Sequence, residues 1–181
     1  MIILVTGNGK GKTTSAIGQG IRVLGQGGKV FMTQFIKSHT FPAGEDDILS
    51  QTFADRWHFS KGGLGFVGIL GDKLPRSDHA SAAAKTLATG KAALISGKWQ
   101  LVILDEINVA LSLDLIKLSE VLDMLSDIPE GTDVILTGRG APDELITRAD
   151  LVTECQEIKH PYNQGIQGSR SHEFWTLGLR C

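Results

Sequence analysis

A glycine-rich stretch near the amino end of the chain carries the residue types that hold a polyphosphate. It reads ILVTGNGKGKTTSAIGQG from Ile3 to Gly20, an apolar run followed by glycines and then by residues at helical spacing. A glycine-rich turn between a strand and a helix gathers backbone N–H groups and the positive end of the helix dipole around one point. Lys12 would then reach phosphate oxygens, and the Thr13 hydroxyl would bind Mg²⁺. We therefore predict a nucleotide-binding loop, with a ligand-free turn as the alternative.

This loop is one residue shorter than the usual phosphate-binding loop. The usual pattern is G-x-x-x-x-G-K-S/T, and the position five residues before Gly11 is Thr6 rather than glycine. The strict motif is therefore missed. A Gly-Lys-Thr-Thr run between a strand and a helix is nevertheless typical of nucleotide binding.

Two carboxylates follow a second apolar run, where residues 101–106 read LVILDE. An acid at the carboxyl end of a parallel strand is the usual metal-binding partner of a phosphate loop. A solvated strand end is the alternative. The spacing does not distinguish Asp105 from Glu106, so we predict both, together with Thr13, as metal ligands.

The rest of the chain alternates short apolar runs with segments of helical spacing. Strands are predicted at residues 2–6, 30–36, 101–104, 134–137 and 151–153, with a further candidate at 56–59. Helices are predicted at residues 12–25, within 44–53, and at 78–96, 118–127 and 142–148. Apolar strands that alternate with helices favour a mainly parallel sheet with helices on both faces. We predict a single α/β domain over residues 1–181, with a loop or tail from about residue 161.

The composition limits the partners of the chain. Of 181 residues, 41% are hydrophobic and 21% charged, and the formal net charge is −2, which favours no broad attraction to nucleic acid or membrane. No apolar run approaches the ~20 residues of a membrane span, and the apolar start lacks the charged leader of a signal peptide. The two cysteines, Cys155 and Cys181, have no metal-ligand spacing. We predict a cytoplasmic protein with no nucleic-acid or membrane partner.

Six short motifs occur along the chain at residues 6–14 (TGNGKGKTT), 34–37 (QFIK), 104–108 (LDEIN), 136–142 (LTGRGAP), 149–153 (ADLVT) and 159–160 (KH). In this order they resemble the ATP:corrinoid adenosyltransferases, and the short loop together with T-G-R-G-A-P is specific. The resemblance implies a RecA-like P-loop fold and a homodimer. It implies transfer of the 5′-deoxyadenosyl group of ATP to the Co(I) of a corrinoid, with release of triphosphate. It also implies an electron-donor protein such as a flavodoxin.

The resemblance assigns roles to individual residues of these motifs. It implies that Asn8 contacts the ribose and that the loop residues hold the triphosphate with Mg²⁺, namely Gly7, Gly9, Lys10, Gly11, Lys12, Thr13 and Thr14. It adds five residues to the ATP site: Arg22, Gln34, Lys37, Arg139 and His160. It places three residues at the transfer itself: Lys12, Arg139 and Phe66. The alternatives are a solvated helix-face charge for Arg22, an exposed cation for Lys37 and a surface histidine for His160.

In this family ATP lies in the reverse direction along the loop and presents the ribose carbon to the corrinoid. The leaving group is then the whole triphosphate, whose charge must be neutralised by loop amides, Lys12, Mg²⁺ and Arg139. We hypothesise that the shorter loop causes the reversal. Insertion of one glycine after Thr6 tests this hypothesis, because an unchanged reversed ATP in the complex would contradict it.

Two stretches depart from the family pattern. The family's G-F-T-W, whose aromatic residues crowd the lower face of the corrinoid, corresponds here to Gly65-Phe-Val-Gly68, so that Phe66 remains and glycine replaces tryptophan. Residues 165–174 match the carboxyl-terminal family motif at its ends but not in its middle, and Trp175 and the extra tail to Cys181 are unusual. The alternatives are therefore an ATP-binding regulatory relative without corrinoid activity, and an ATP hydrolase in which Glu106 orients water.

Overall fold

The computed structural model describes residues 1–40, 42–69, 71–160 and 165. Its six strands are β1 (Ile2–Thr6), β2 (Val30–Gln34), β3 (Trp57–Lys61), β4 (Leu101–Asp105), β5 (Asp133–Thr137) and β6 (Leu151–Glu154). They form one sheet in the order β3-β2-β4-β5-β1-β6. Every neighbouring pair is parallel. This arrangement confirms the predicted α/β fold with a parallel sheet.

The helices of the described residues connect these strands. They are α1 (Lys12–Gly25), α2 (Gly44–Asp47), α3 (Arg76–Ile95), α4 (Ile107–Ser112), α5 (Leu118–Ser126) and α6 (Asp143–Arg148). A π-helical turn, Ile48–Thr52, continues α2. Among these residues, no helix is long and apolar enough to cross a membrane.

Two hydrophobic clusters lie on opposite faces of the sheet. Successive side chains of a strand point to opposite faces, so Ile103 joins one cluster and Leu104 the other. The Ile103 cluster includes Ala16 of α1, and the Leu104 cluster includes Ala83 of α3 and Val121 of α5. Burial on both faces explains why β2 and β4 are apolar along most of their length and buried at every position.

The observed elements differ from the predicted ones mainly at their ends. The second strand ends at Gln34 rather than at residue 36, and the fourth extends to Asp105. Helix α3 begins at Arg76, directly after Pro75, rather than at residue 78. Helix α4 was not predicted at all, because its apolar residues follow the apolar β4 with Glu106 as the single residue between them.

The parallel sheet positions the candidate site. The carboxyl ends of parallel strands meet at one edge of the sheet, which is where open α/β sheets bind ligands. The loops that follow β1, β2, β3, β4 and β5 therefore share this edge, and they carry most of the residues singled out in the sequence.

Candidate functional site

The loop between β1 and α1 closes around the side chain of Lys12. Gly11 has a φ of 117° and directly precedes the first residue of α1. The Lys12 ammonium donates hydrogen bonds to the carbonyl oxygens of Gly7 at 2.8 Å and Gly9 at 2.6 Å. The Thr14 hydroxyl donates to the carbonyl of Gly11 at 3.1 Å. The loop thus holds a cation above the start of a helix whose first N–H groups have no intrahelical partners.

The glycines of this loop are required by its neighbour, the segment that follows β6. A Cβ atom on Gly7 would lie 2.5 Å from the carbonyl oxygen of Cys155, and one on Gly9 would lie 2.5 Å from that of Gln156. The Gly9 N–H donates to the Cys155 carbonyl at 2.6 Å, and the Cys155 N–H donates to Thr6 at 2.8 Å. The loop is therefore tied to the end of β6, and the Gly9 amide already has a protein partner.

Asp105, at the end of β4, collects hydrogen bonds from three neighbouring elements. Its side chain is fully buried. It accepts hydrogen bonds from the hydroxyls of Thr13 at 2.8 Å and Thr137 at 2.7 Å, and from the Gln34 amide at 2.9 Å. The Lys37 ammonium forms an ion pair with it at 3.2 Å. These contacts join α1, β2 and β5 around one carboxylate, which we call the Asp105 hub.

Glu106 lies beside the hub in a different environment. Its backbone has a φ of 62°, in the left-handed region that non-glycine residues rarely adopt, and its N–H donates to the Thr137 hydroxyl at 3.0 Å. Burial and the nearby Asp105 charge raise the pKa of Glu106 to about 6. Of the two acids, Asp105 is the one whose carboxylate accepts hydrogen bonds within the described part of the chain.

The two lysines of the site are shifted in opposite directions. Burial lowers the pKa of Lys12; the charge of Glu106 opposes this effect, and that of Arg139 adds to it. Lys37 is half-buried, and the charges of Asp105, Glu106 and Glu45 outweigh the effect of its desolvation and raise its pKa. The carboxylates therefore hold Lys37 as a cation against Asp105, whereas Lys12 remains turned toward its own loop.

Arg139 stands in a loop whose backbone is packed closely against α4. Gly138 has a φ of 128°, and a Cβ atom there would lie 3.0 Å from both the Asn108 Cβ and the Val109 backbone nitrogen. The Asn108 amide donates to the Gly138 carbonyl at 3.2 Å. Arg139 itself is exposed, yet its charge acts on Lys12 and Glu106. The loop thus presents an exposed guanidinium at the rim of the phosphate loop.

The structure brings most of the remaining predicted residues to the same edge. Asn8 and Lys10 are exposed on the loop itself, and Phe66 is half-buried in the loop that follows β3. His160 is half-buried beyond β6, in the same segment that packs on Gly9. Arg22 is not brought there: it lies in the last turn of α1, about 15 Å from Lys12 along the helix axis. Of the carboxyl-terminal family motif at 165–174, only residue 165 lies within the described residues, and Trp175 and Cys181 lie outside them.

Two residues of the site were missed by the sequence analysis as functional groups. Thr137 bonds both to Asp105 and to the backbone of Glu106, and Asn108 fixes the loop that carries Arg139. Each is a polar residue inside or beside an apolar run. That signal marks a buried polar group but does not identify its partner.

The donor set of the hub suits Mg²⁺. Among the described residues, no group of three or more histidine, cysteine, aspartate or glutamate side chains could hold a metal ion by itself. Mg²⁺ commonly takes one or two protein oxygens, with phosphate and water as its other ligands. The Thr13 hydroxyl and Asp105 carboxylate are such a pair, and the Gln34 side-chain oxygen beside them is buried without a partner in the described chain.

Comparison with known proteins decides the family. The family model described as ATP:corrinoid adenosyltransferase BtuR/CobO/CobP matches residues 1–174. The chain belongs to this family. Three relatives named corrinoid adenosyltransferase are from Sinorhizobium sp, Escherichia coli (strain K12) and Salmonella typhimurium. They are 38%, 34% and 32% identical to this adenosyltransferase-family chain, over 96%, 92% and 96% of its length and 80%, 82% and 85% of their own.

Solved structures give more distant likenesses. A DNA replication initiation factor matches with a TM-score of 0.42 and 14% sequence identity, and the match covers 85% of this chain and 39% of the chain of that factor. The replication initiator DnaA bound to AMPPCP and single-stranded DNA has a TM-score of 0.41 and 14% identity, with coverages of 85% and 40%. The fold of this family member is therefore assigned from its own sheet order.

Proposed function

We propose that this protein transfers the 5′-deoxyadenosyl group of ATP to the Co(I) of a corrinoid and releases triphosphate. One observation carries the proposal. In a chain that matches the adenosyltransferase family over residues 1–174, a lysine-bearing phosphate loop lies in direct contact with a buried acid. This pairing of loop and acid supports binding of a polyphosphate at the carboxyl edge of the sheet.

ATP would be held by the loop between β1 and α1. We assign Asn8 to the ribose and the cationic and hydroxyl side chains of the loop to the triphosphate: Lys10, Lys12, Thr13 and Thr14. Lys12 is bonded to two loop carbonyls, so its ammonium must exchange those bonds for phosphate oxygens when ATP binds. The burial of Lys12 favours this exchange, because negatively charged phosphate oxygens stabilise a desolvated ammonium group better than two neutral carbonyl oxygens do.

Mg²⁺ would be held by Thr13 and Asp105, with Glu106 nearby. When bound it neutralises part of the triphosphate charge. The raised pKa of Glu106 supports this assignment, since burial and the nearby Asp105 charge disfavour its carboxylate form, and a bound cation would offset both effects. Asp105 is held by four side chains and is therefore the better oriented of the two acids.

The transfer needs charge neutralisation more than proton transfer. The Co(I) electron pair forms the cobalt–carbon bond at C5′, the C5′–oxygen bond breaks, and triphosphate leaves with its bonding electrons. Lys12 and Arg139 would stabilise the charge that grows on the departing triphosphate. Phe66, in the loop after β3, would contact the corrinoid. No general base is required, which agrees with a site that is rich in cations and hydroxyls.

A second candidate function is ATP hydrolysis with Glu106 as the group that orients water. It is favoured by the pKa of Glu106, which at about 6 is suited to a general base. Glu106 lies beside Thr137 and Asp105, a position that suits either function. The products of the reaction distinguish transfer from hydrolysis.

The test is to incubate the protein anaerobically with ATP, Mg²⁺ and chemically reduced cobalamin and to identify the phosphate product. Triphosphate together with adenosylcobalamin supports transfer, and orthophosphate supports hydrolysis. Tight ATP binding without turnover supports a regulatory relative. Omission of the corrinoid is the control, because transfer requires it and hydrolysis does not.

Several further properties are also proposals. We propose that residues 1–181 form one nucleotide-binding domain and that the protein acts as a homodimer in the cytoplasm. We also propose that an electron-donor protein such as a flavodoxin reduces the cobalt of the corrinoid from Co(II) to Co(I). His160 belongs to these proposals as an ATP contact. Sedimentation analysis with and without ATP tests the dimer, and a His160→Ala variant tests this contact through the KM for ATP. Arg22→Ala is the control, because Arg22 lies in the last turn of α1, away from the loop.

A further inference from the structure

The loop that follows β3 comprises residues 62–69 and 71–75. Its first part is hydrogen-bonded to the end of β2 and to the residues directly after it. The Gly62 N–H donates to the carbonyl of Gln34 at 2.9 Å, and the Gly65 N–H donates to that of Ile36 at 2.9 Å. A Cβ atom on Gly63 would lie 2.2 Å from the carbonyl oxygen of Phe35. This loop therefore begins directly beside the residue whose amide binds Asp105.

The second part of the same loop is organised by one carboxylate. Asp72 accepts hydrogen bonds from the backbone N–H of Gly68 at 2.8 Å and of Leu74 at 3.0 Å. It also pairs with the Nε2 of His79 at 3.0 Å. The Asp72 and His79 side chains are only 7% and 2% exposed. The two backbone N–H groups hold the pKa of Asp72 below its usual value, so this carboxylate is charged when the loop is formed.

His79 joins this carboxylate to a rigid element. It lies in the first turns of α3, one turn before Ala83, whose side chain belongs to the core cluster on that face of the sheet. Leu87, one further turn along, belongs to the same cluster. The Asp72–His79 pair therefore connects the turn around Gly68 to a helix that is packed on the sheet. We call this pair the α3 clamp.

The loop held by the clamp presents apolar side chains to solvent. Leu64, Ile69 and Leu74 are 43%, 60% and 46% exposed, and Phe66 between them is half-buried. A large contiguous patch of exposed apolar side chains marks an interaction site or a ligand-binding groove. A corrinoid is a large ring with apolar faces, and the loop lies at the same edge of the sheet as the phosphate loop.

We propose that Asp72 and His79 are positioning residues for the corrinoid. The clamp fixes the backbone around Gly68, so that Leu64, Phe66 and Ile69 are held in one surface in a loop that has no tryptophan. Neither clamp residue touches the reacting atoms, and each acts through the loop. This inference rests on the proposed transfer to a corrinoid, and it goes beyond that transfer by naming what shapes the second substrate's site.

The test compares Asp72→Asn, Asp72→Ala and His79→Gln with the unchanged protein in full-length form. Asp78→Asn is the matched control, because it alters an exposed acid in the first turn of the same helix and leaves the clamp intact. Steady-state kinetics under anaerobic reducing conditions give the KM for the corrinoid and for ATP separately. Titration with a Co(II) corrinoid measures binding without turnover, and thermal unfolding reports any loss of folded protein.

We expect Asp72→Ala to raise the KM and the dissociation constant for the corrinoid about tenfold, the size expected for one or two lost charge-assisted hydrogen bonds. Asp72→Asn and His79→Gln should give smaller increases, and the KM for ATP should stay within about twofold in all of them, since the ATP contacts are separate. A purely structural role would instead lower the thermal midpoint and affect both substrates alike.

The outcomes separate this inference from the proposed transfer. Unchanged corrinoid parameters in the Asp72 variants of an active enzyme, or equal losses for both substrates, would overturn the clamp alone. If the unchanged protein binds a Co(II) corrinoid without turnover, the binding titrations of the variants still decide. An unchanged protein that neither turns over nor binds a corrinoid would overturn both proposals.

Discussion

Replacement of Glu106 by glutamine tests the electrostatic description of the site most sensitively. Burial and Asp105 raise the pKa of Glu106 from 4.5 to about 6, which corresponds to about 2 kcal/mol in favour of the protonated form of the folded protein. For an acid with a raised pKa, this stability is fully present below the unfolded value and is lost as the pH rises through the folded value. Between pH 4.5 and 6, Glu106 ionises in the unfolded chain before it does so in the folded protein, and the free energy of unfolding therefore falls as the pH rises.

Glutamine has nearly the same shape as protonated glutamate and does not ionise. Glu106→Gln should therefore resemble the unchanged protein at pH 4.5 and exceed its free energy of unfolding by about 2 kcal/mol at pH 7.5. Urea denaturation of both proteins without nucleotide or Mg²⁺, at a series of pH values, measures this difference. Because the other titrating groups are common to both, subtraction gives the contribution of Glu106 together with its coupling to Asp105, Lys12 and Lys37. A difference that does not change with pH, or that changes with the opposite sign, would refute the reasoning.

The remaining predictions concern the phosphate loop. Lys12→Met should lower the rate of triphosphate release about 10²- to 10³-fold, the usual cost of one transition-state charge contact. Lys91→Met, on the exposed face of α3, is the control and should have no effect. Single-turnover rates measure both variants, and near-normal turnover of Lys12→Met would count against a role for this ammonium group. Gly9→Ala should destabilise the protein by about 1–3 kcal/mol and weaken ATP binding, because its Cβ would lie 2.5 Å from the Gln156 carbonyl. Gly18→Ala is the control, because no atom beyond its chain neighbours and its own helix backbone lies within 4 Å of a Cβ at this position of α1, and it should be neutral or stabilising. Urea denaturation compares the two variants. Equal effects would show that close packing is not the reason for glycine at position 9.

Much of the fold was predictable because its signal is local. Fully buried parallel strands must be continuously apolar, so β2 and β4 are recognisable one at a time. Helix α4 could not be recognised in this way. Glu106, with a φ of 62°, is the single residue at which the chain turns, so no loop separates the apolar run of β4 from that of α4. The ends of strands were less certain, because Gln34 and Asp105 are polar residues that continue a ladder of backbone hydrogen bonds.

The residues of the site were predictable in kind but not in arrangement. The sequence marks Thr13, Asp105 and Gln34 as polar groups at element ends, and the parallel sheet brings them to one edge. That Thr13 and Gln34 both bond to the Asp105 carboxylate depends on strand order, which no local pattern contains. The partnership of Asp72 with His79 likewise depends on how a loop folds back onto a helix.

The short phosphate loop illustrates the same limit. Its glycines predict close approach of a phosphate, and the structure adds a second requirement, since Gly7 and Gly9 pack directly against Cys155 and Gln156. The hypothesis that shortness also reverses the direction of ATP stays a prediction, tested by the insertion after Thr6.

The central claim is that the bond broken in ATP is the one between C5′ and its oxygen. ATP labelled with ¹⁸O at that bridging oxygen, incubated anaerobically with the protein, Mg²⁺ and a Co(I) corrinoid, tests it directly by mass spectrometry of the phosphate product. The account predicts triphosphate that retains the label, formed one for one with adenosylated corrinoid. Orthophosphate released without the corrinoid, with the label left on the nucleotide, would contradict it.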